Sequence, residues 1–417
     1  MVTSKKTVQG TMFAALCGLC LMAETTGAIA GSKDAPQASV VFDIAKRKKA
    51  KRTVTHWLRT SVYGNLRFQG ERDIARDDGV SDRKDEFASY LGGVGRANIA
   101  RGVTGFVHGE VSLKDKKTHA RSYDRIMQPQ LKEALVSVAL TDRTQVSIGR
   151  LRFSDPHKWV ADASVDGLHF AHRLQGRALE FAAVSGTRDI TADYLIAHIS
   201  DTDHARGIGF FAIAESDGSQ RRLHLSTYRF AQVSELFSYQ LNAGVVMGDA
   251  EQDRSFGMGV DVRAHQELST GRWNPQVTYG FAFGTSGFQQ SGLHSNKTYD
   301  GGQTQFHRYG YVFQPELTNI AIGTLAYGLR PSRRFSMDLG LHAYMQPSRS
   351  TIGPDARIKG TTTGNARFLG SEISLAGAWR PSKKSKMEFG VARFTPGSAY
   401  SDRSKARRVY ARISYYF

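Results

Sequence analysis

The chain has 417 residues, a formal net charge of +18 and only two cysteines, Cys17 and Cys20. So few cysteines exclude a disulfide framework as the main source of stability. The positive charge suits a nucleic acid, a lipid surface or an acidic solute, and composition alone does not separate these partners.

The first residues predict a cleaved secretory signal peptide. Lys5 and Lys6 precede an apolar stretch from Met12 to Met22, and small residues around Ala30 provide a cleavage site. The apolar stretch has about half of the ~20 residues that a membrane-spanning helix needs, so a retained anchor is the weaker interpretation. We expect residues 1–30 to be removed, and both cysteines with them.

Residues 31–53 contain a run rich in lysine and arginine, and we expect a basic periplasmic segment there. From residue 54 to Phe417, apolar and polar residues alternate, and no apolar run approaches the ~18 residues of a membrane helix. In Phe335 to Gln346 the odd positions carry Phe, Met, Leu, Leu, Ala and Met, and the even positions carry Ser, Asp, Gly, His, Tyr and Gln. The same alternation recurs at Tyr239–Met247, Phe256–His265 and Val277–Phe283. A period of two with one apolar face predicts strands that have lipid or a core on one side and water on the other.

The spacing of these strands predicts an all-β, transmembrane antiparallel β-barrel. Short turns are expected at 141–144, 330–334 and 380–384, and mobile loops of the opposite rim at 289–305 and 347–365. A strand with its share of turn and loop uses roughly 20 to 24 residues, so residues 54–417 predict about 16 to 18 strands around a water-filled lumen.

The last strand carries the most specific single signal. It alternates up to a terminal Phe417, with the aromatic Tyr415 two residues before it. This pattern is the signal by which outer-membrane barrels are recognised for assembly. It predicts the outer membrane of a Gram-negative bacterium as the location and the barrel assembly machinery as a partner.

Arginine is frequent at the predicted wet positions. Alternation places four arginines on the polar face, namely Arg263, Arg380, Arg408 and Arg412. A guanidinium stays charged and matches carboxylates with its planar fork, so an arginine-lined lumen favours anions. For any single arginine the alternative is a charge ladder that serves solvation and strand register. The whole set favours an anion-selective channel.

Other classes of function find less support. No serine–histidine spacing identifies a hydrolase, so we expect no catalytic residues and no enzyme. No His-Glu-x-x-His or calcium-loop spacing is present, so we expect no metal site and no cofactor. Nucleic-acid binding is disfavoured because the basic residues are spread around the strands instead of being gathered on one helix or patch.

Short motifs in a fixed order point to a family. Residues 149–170 contain Gly-Arg-Leu-Arg, Asp-Pro with a following tryptophan, and Asp-Gly before the next strand. Further motifs follow in the C-terminal third, at Pro315–Asn319, Leu329–Pro331, His342–Tyr344, Leu369–Ile373, Trp379–Pro381 and Ala392–Ala399. In this order the motifs resemble the alginate export family of outer-membrane proteins, over roughly Val54 to Phe417. The chain departs from the family at Ser398, where an acidic residue usually follows Pro-Gly.

The resemblance implies an 18-stranded barrel with an electropositive constriction that passes alginate or a similar uronate polymer outward. Seven residues are carried over to that constriction: Arg150, Arg152, Asp155, Asp162, Asp166, Glu372 and Arg393. The acidic members would orient the arginines and keep a polyanion from binding too tightly to leave. Asp155-Pro156 and Asp166-Gly167 are also ordinary turn chemistry, so a structural role stays open for both.

The implied partners are an anionic polysaccharide, outer-membrane lipid and lipopolysaccharide, and a periplasmic export scaffold. Two alternatives stay open. One is an anion-selective uptake porin for small acidic solutes or oligosaccharides, and the other is a structural barrel with a plugged lumen. No break in the apolar outer face predicts a subunit interface, so we expect a monomer.

Overall fold

The computed structural model describes residues 58–74, 83–118, 123–187, 190–201, 207–218, 220–249, 254–271, 273–298, 306–351, 355–358 and 360–417. The predicted signal peptide, residues 1–30, and the predicted basic segment, residues 31–53, lie outside the described residues and stay predictions.

The described residues form strands with the following bounds: β1 Leu58–Arg72, β2 Arg83–Ala100, β3 Val103–Thr118, β4 Tyr123–Ala139, β5 Thr144–Ser154, β6 Asp162–Arg173, β7 Arg177–Ser185, β8 Asp193–Asp201, β9 Ile208–Asp217, β10 Gln220–Ser234, β11 Phe237–Asp249, β12 Arg254–Glu267, β13 Gln276–Gly284, β14 Lys297–Thr298, β15 Phe306–His307, β16 Ile320–Ser332, β17 Phe335–Met345, β18 Phe368–Trp379, β19 Ser385–Pro396 and β20 Ala406–Tyr416. Within the described ranges, no helix is long and apolar enough to cross a membrane.

Eighteen of these strands close into one antiparallel barrel, and the prediction of about 18 strands is confirmed. Each barrel strand pairs with the next along the chain, with β13 pairing directly with β16. The barrel closes where β20 pairs with β1, in a register that sets Ala411 opposite Phe68. The short strands β14 and β15 pair with each other inside the β13–β16 connection. A closed barrel leaves no unpaired sheet edge, which is what hydrocarbon surroundings require of a β structure.

The alternation in β17 separates the two faces of the wall as the sequence predicts. Leu339, Leu341 and Met345 are exposed on the outer face, whereas Ser336 and Tyr344 are fully buried on the inner face. An apolar face that points away from the barrel axis is stable only against lipid. At the closing seam, Tyr415 and Phe417 lie on the exposed surface, and their role as an assembly signal stays a prediction.

The two rims differ in the length of their connections. The turns 140–143, 333–334 and 380–384 are short, whereas the β13–β16 and β17–β18 connections, residues 285–319 and 346–367, are long. In bacterial barrels the short turns lie on the periplasmic side and the long connections on the extracellular side.

The prediction that 289–305 and 347–365 lie at the rim is wrong for their buried residues, such as Leu293 and Ile358, while much of the described part of 347–365 is exposed. The mobility of both stays a prediction. Leu293, Phe313, Leu317 and Ile358 belong to these two long connections or lie beside them, and all four are buried in the core of the molecule. The physical reason is the size of the barrel. Eighteen strands enclose more space than inward side chains can fill, so apolar residues of the connections gain by burial there.

Candidate functional site

Three connections fold into the lumen and pack on each other. The β5–β6 connection, residues 155–161, places Trp159 against the β13–β16 connection. The indole N–H of Trp159 donates to the Tyr309 hydroxyl at 2.9 Å, and its ring stacks on Phe288 with centroids 6.0 Å apart. These contacts make one packed assembly of the inserted connections.

The carboxylate of Glu372 on β18 fastens the β13–β16 connection to the inner wall. It accepts hydrogen bonds from three consecutive backbone N–H groups: those of Tyr311, Val312 at 3.1 Å and Phe313 at 2.9 Å. Gly310, with φ of 107°, precedes this turn, and a Cβ there would lie 2.4 Å from the Tyr344 hydroxyl oxygen. Glycine is therefore required at this position both for its backbone conformation and for the close approach.

A buried ion pair provides a second attachment of the same connection. Arg308 lies 2.8 Å from Asp261 of β12, and both side chains are almost fully buried. Arg308 also donates to the His157 carbonyl at 2.9 Å, while His157 Nδ1 lies 2.7 Å from the Asn242 side-chain oxygen. Burial, together with the nearby Arg308 charge, lowers the pKa of His157, so that the imidazole stays neutral at neutral pH. Arg263 on β12 faces inward and donates to the Arg308 carbonyl at 2.8 Å.

Four arginines gather on the inner wall beside the Glu372 attachment, and we call Arg67, Arg357, Arg408 and Arg412 the lumen arginine cluster. Arg408 donates to the carbonyl of Tyr311, in the turn that Glu372 holds, at 2.7 Å. Arg67 on β1 is in register with Arg412 on β20. Arg408 of β20 donates to the Gln69 side chain at 3.1 Å. Arg357 comes from the β17–β18 connection, so the cluster joins the wall to an inserted segment.

The carboxylates of this region lie behind the guanidinium groups. Glu71 pairs with Arg357, with Arg408 at 3.6 Å and with Lys84 at 3.9 Å. Its side chain is 5% exposed, whereas Arg357 is 27% exposed. Arg412 is 46% exposed beside a Glu388 carboxylate at 8%. In these two pairs the arginine is the more exposed partner, and each cation has an acidic residue nearby.

The environment of Arg357 shows how closely the charges are packed. Burial and repulsion from Arg408 and Arg67 lower the pKa of Arg357 to about 9. That value is still well above neutral pH, so the guanidinium keeps its charge. A partly desolvated guanidinium pairs more strongly with a carboxylate than a fully hydrated one does.

Two of the predicted constriction residues lie on the outer face, and their placement in the lumen is corrected. Arg150 and Asp166 form a two-bond pair, at 2.7 and 2.6 Å. Their strand neighbours on the same face, Ile148 and Leu168, are exposed, whereas Leu151 is buried inside. Because successive strand residues point to opposite faces, the apolar inner residues of β5 direct Arg150 outward.

Arg393 also alternates with buried neighbours, and its placement in the lumen is corrected in the same way. It is exposed next to the fully buried Phe394 of β19, so it points away from the lumen. Arg152 flanks the fully buried Phe153, and its guanidinium pairs with Asp162.

Asp155 and Asp162 organise the β5–β6 connection. Asp155 is buried and accepts the backbone N–H groups of His157, Val160 and Ala161, each at 2.7 Å. Asp162 accepts a hydrogen bond from Ser295 of the β13–β16 connection at 2.7 Å. Both carboxylates therefore hold inserted segments in place.

The structure brings Arg412 into the lumen arginine cluster together with Arg408, while Arg67 and Arg357 were missed at the level of the sequence. Arg67 had a usable signal, because Leu66 and Phe68 beside it are exposed on the lipid face. Arg357 had none, since it lies in a connection without periodicity.

Comparison with known proteins agrees with this architecture. A family model described as alginate export matches residues 174–413. Alginate production protein AlgE of Azotobacter vinelandii is 35% identical over 80 residues, which are 18% of this chain and 16% of that protein. The match thus spans well under two thirds of that relative.

Solved outer-membrane proteins of Pseudomonas aeruginosa share the fold. OccK5 (OpdH) has a TM-score of 0.59 at 8% identity, covering 86% of this chain and 98% of that one. OccK2 (OpdF), solved in complex with glucuronate, has a TM-score of 0.55 at 8% identity, covering 86% and 96%. OprD has a TM-score of 0.56 at 10% identity, covering 86% and 93%. At these identities the likeness is one of fold.

Proposed function

The chain belongs to the alginate export family of outer-membrane proteins, and we propose that it carries an anionic polysaccharide, alginate or a similar uronate polymer, out of the cell. It is a channel of the Gram-negative outer membrane, and its family and fold are of the channel type, not of an enzyme type. In this proposal the polymer passes through the lumen without a chemical step at the barrel.

One observation carries the proposal: in the lumen arginine cluster Arg412 and Arg357 are 46% and 27% exposed, whereas their partners Glu388 and Glu71 are 8% and 5% exposed. A uronate polymer presents a carboxylate on every sugar, and each carboxylate matches one guanidinium fork. Solvent-exposed pairs contribute only ~0.2–1 kcal/mol each, so a polymer can exchange partners as it moves. The acidic residues behind the cluster, above all Glu71, limit how tightly the polymer is held.

The inserted connections narrow the passage in this proposal. Arg357 belongs to the β17–β18 connection, so its place in the cluster depends on how that connection is seated. Glu372, Asp155, Asp162 and Arg263 act as positioning residues that hold the inserted connections against the wall. They do not contact the polymer.

A second candidate is the uptake of small acidic solutes or oligosaccharides. It is favoured by the inserted connections, which fill the lumen along much of the inner wall. A narrow basic passage suits a small uronate as well as a polymer. The length of the cargo therefore separates the two candidates.

The test is passage of uronate polymers through the purified full chain in planar bilayers. A polyuronate of defined length, added on the periplasmic side, should cause brief current blocks whose duration grows with polymer length and shortens with voltage. A neutral polysaccharide of matched length should cause few blocks. The R67Q/R408Q/R412Q variant should lose the polyuronate blocks, and the exposed-turn variant R380Q should keep them.

Blocks that lengthen with voltage would indicate polymer trapped at an impassable constriction and would contradict export. If only mono- and diuronates pass, the uptake candidate replaces the exporter. If the triple variant and wild type respond alike, the lumen arginine cluster is not the site that meets the cargo.

A further inference from the structure

A row of arginines crosses four strands on the outer face of the barrel, near its extracellular rim. Arg393 of β19 is in register with Arg407 of β20, Arg407 with Arg72 of β1, and Arg72 with Arg83 of β2. All four alternate with inward residues, as Arg72 does with the buried Glu71. We call these four residues the outer arginine row.

Like charges directly opposite on neighbouring strands repel, so the row needs an anion. Asp85 is the anion for two of the four arginines: its carboxylate oxygens lie 2.9 Å from Arg72 and 2.8 Å from Arg83. Arg393 and Arg407 are both exposed at the other half of the row. Arg403 and Lys405 of the β19–β20 connection add two more exposed cations close to Arg407 in the chain.

A groove of about 750 Å³ in the outer wall begins at Arg393. Its floor follows one register line of small residues on the outer face, Ser371, Ala343 and Gly323, which face each other across β18, β17 and β16. Larger residues two positions along each strand form its side, namely Ile373, Leu341 and Leu325. Most of the exposed groove surface is apolar, although Tyr279, Thr324, His342 and Glu372 also line it besides Arg393.

The direction of the groove matches the depth profile of a membrane. Arg393 lies near the extracellular end of β19, whereas the far end of the groove, at Tyr279 and Ala264, lies near the periplasmic ends of β13 and β12. A molecule in the groove would therefore have its head at the lipid–water interface and its tail in the hydrocarbon region.

We propose that this surface binds one lipopolysaccharide molecule of the outer leaflet. A lipid phosphate contacts Arg393 and Arg407, and one acyl chain lies along the groove over Ala343. Phosphate suits the pair because a guanidinium fork binds two of its oxygens at once. The acyl chain suits the groove because its surface is mostly apolar and its side residues Leu325, Leu341 and Ile373 are exposed on the lipid face. The lipid site is separate from the lumen, and this inference does not depend on which solute the channel carries.

The test is retention of lipopolysaccharide by the full chain purified from outer membranes in a mild detergent and measured by native mass spectrometry. Wild type should retain one lipopolysaccharide per barrel. The R393Q/R407Q variant should retain at least tenfold less, and A343F should also lose it without any change of charge. R412Q is the matched control, because it removes one arginine from the lumen side of β20, and it should retain the lipid.

Each variant is first checked for folding by the heat-dependent shift of its band on a gel. Equal retention by folded R393Q/R407Q and wild type would overturn the proposal, as would equal loss in R412Q, which would indicate bulk charge. A wild-type dimer that carries no lipid and falls apart in A343F would assign the groove to a second copy of the chain instead.

Discussion

Replacing Glu372 with alanine is expected to release the β13–β16 connection from the inner wall. The change removes the acceptor of three consecutive, buried backbone N–H groups. A buried donor left without a partner costs ~1–3 kcal/mol, and for three coupled donors we take the lower bound, which totals ~3 kcal/mol. At ~1.4 kcal/mol per factor of ten, the undocked population of the connection rises by roughly 10²-fold.

Two measurements follow the release. Hydrogen exchange of residues 306–319 should speed up by about the same factor, because exchange reports local opening. Single-channel records should show more frequent steps to higher conductance, because the connection occupies the lumen. The Glu372→Gln variant keeps one carbonyl acceptor and should give an intermediate result.

The matched control is Glu180→Ala. Glu180 is also a buried inner-wall carboxylate, but its partners His169 and His198 belong to the wall. It should leave exchange in 306–319 unchanged. If Glu372→Ala leaves both exchange and conductance steps as in wild type, then Glu372 does not hold the connection and the reasoning fails.

Three further substitutions test the inserted connections, each by exchange or limited proteolysis of the full chain. Gly310→Ala should loosen the β13–β16 connection by ~1–3 kcal/mol, because φ is positive there and the added Cβ clashes with a neighbouring side chain. Gly218 also has a positive φ but has open space around it, so Gly218→Ala should cause backbone strain alone. Arg308→Met alone should destabilise the folded protein by ~3–5 kcal/mol, because the buried charge of Asp261 loses its ion-pair partner. Adding Asp261→Leu should recover much of this loss. If it recovers nothing, the buried-pair interpretation is contradicted. Asp155→Ala should open residues 155–161 to protease while barrel strands stay protected, and equal protection of both would argue against its role.

The barrel itself was predictable because its wall obeys a simple rule. Period-two alternation in β17 and in β20 is a local property of the chain, and lipid outside with a packed or wet interior enforces it strand after strand. The strand number followed from length alone, and the outcome of 18 lay within the expected range.

The constriction residues were less predictable than the barrel wall, because part of the barrel interior is packed with apolar residues and part is polar. On β5 the inner residues Leu151 and Phe153 pack under inserted connections, so apolar residues point inward and Arg150 points outward. A motif carried over from a family gives residue identity but not the face of the strand. Val146 and Ile148 alternate with Arg150 on the same face of β5, and this apolar neighbourhood indicates the lipid side.

The contacts of the inserted connections could not be predicted from the sequence. Trp159 meets Tyr309, 150 positions further along the chain, and Arg357 meets Glu71, 286 positions away. No periodicity or short motif encodes such pairings, because they depend on how three connections share one closed space.

The most direct test of the account is the reversal potential of the purified channel under a salt gradient, compared between wild type and R67Q/R408Q/R412Q. At ~8 Å, with an effective dielectric constant of ~80 and a Debye length of ~10 Å, one charge stabilises an anion in the lumen by ~0.2 kcal/mol and destabilises a cation by the same amount, so three charges change the anion-to-cation preference by ~1.4 kcal/mol. We predict an anion-selective wild type whose anion-to-cation permeability ratio falls roughly tenfold in the variant. A cation-selective wild type, or a ratio unchanged by the three substitutions, would contradict the claim that the lumen arginine cluster selects the cargo.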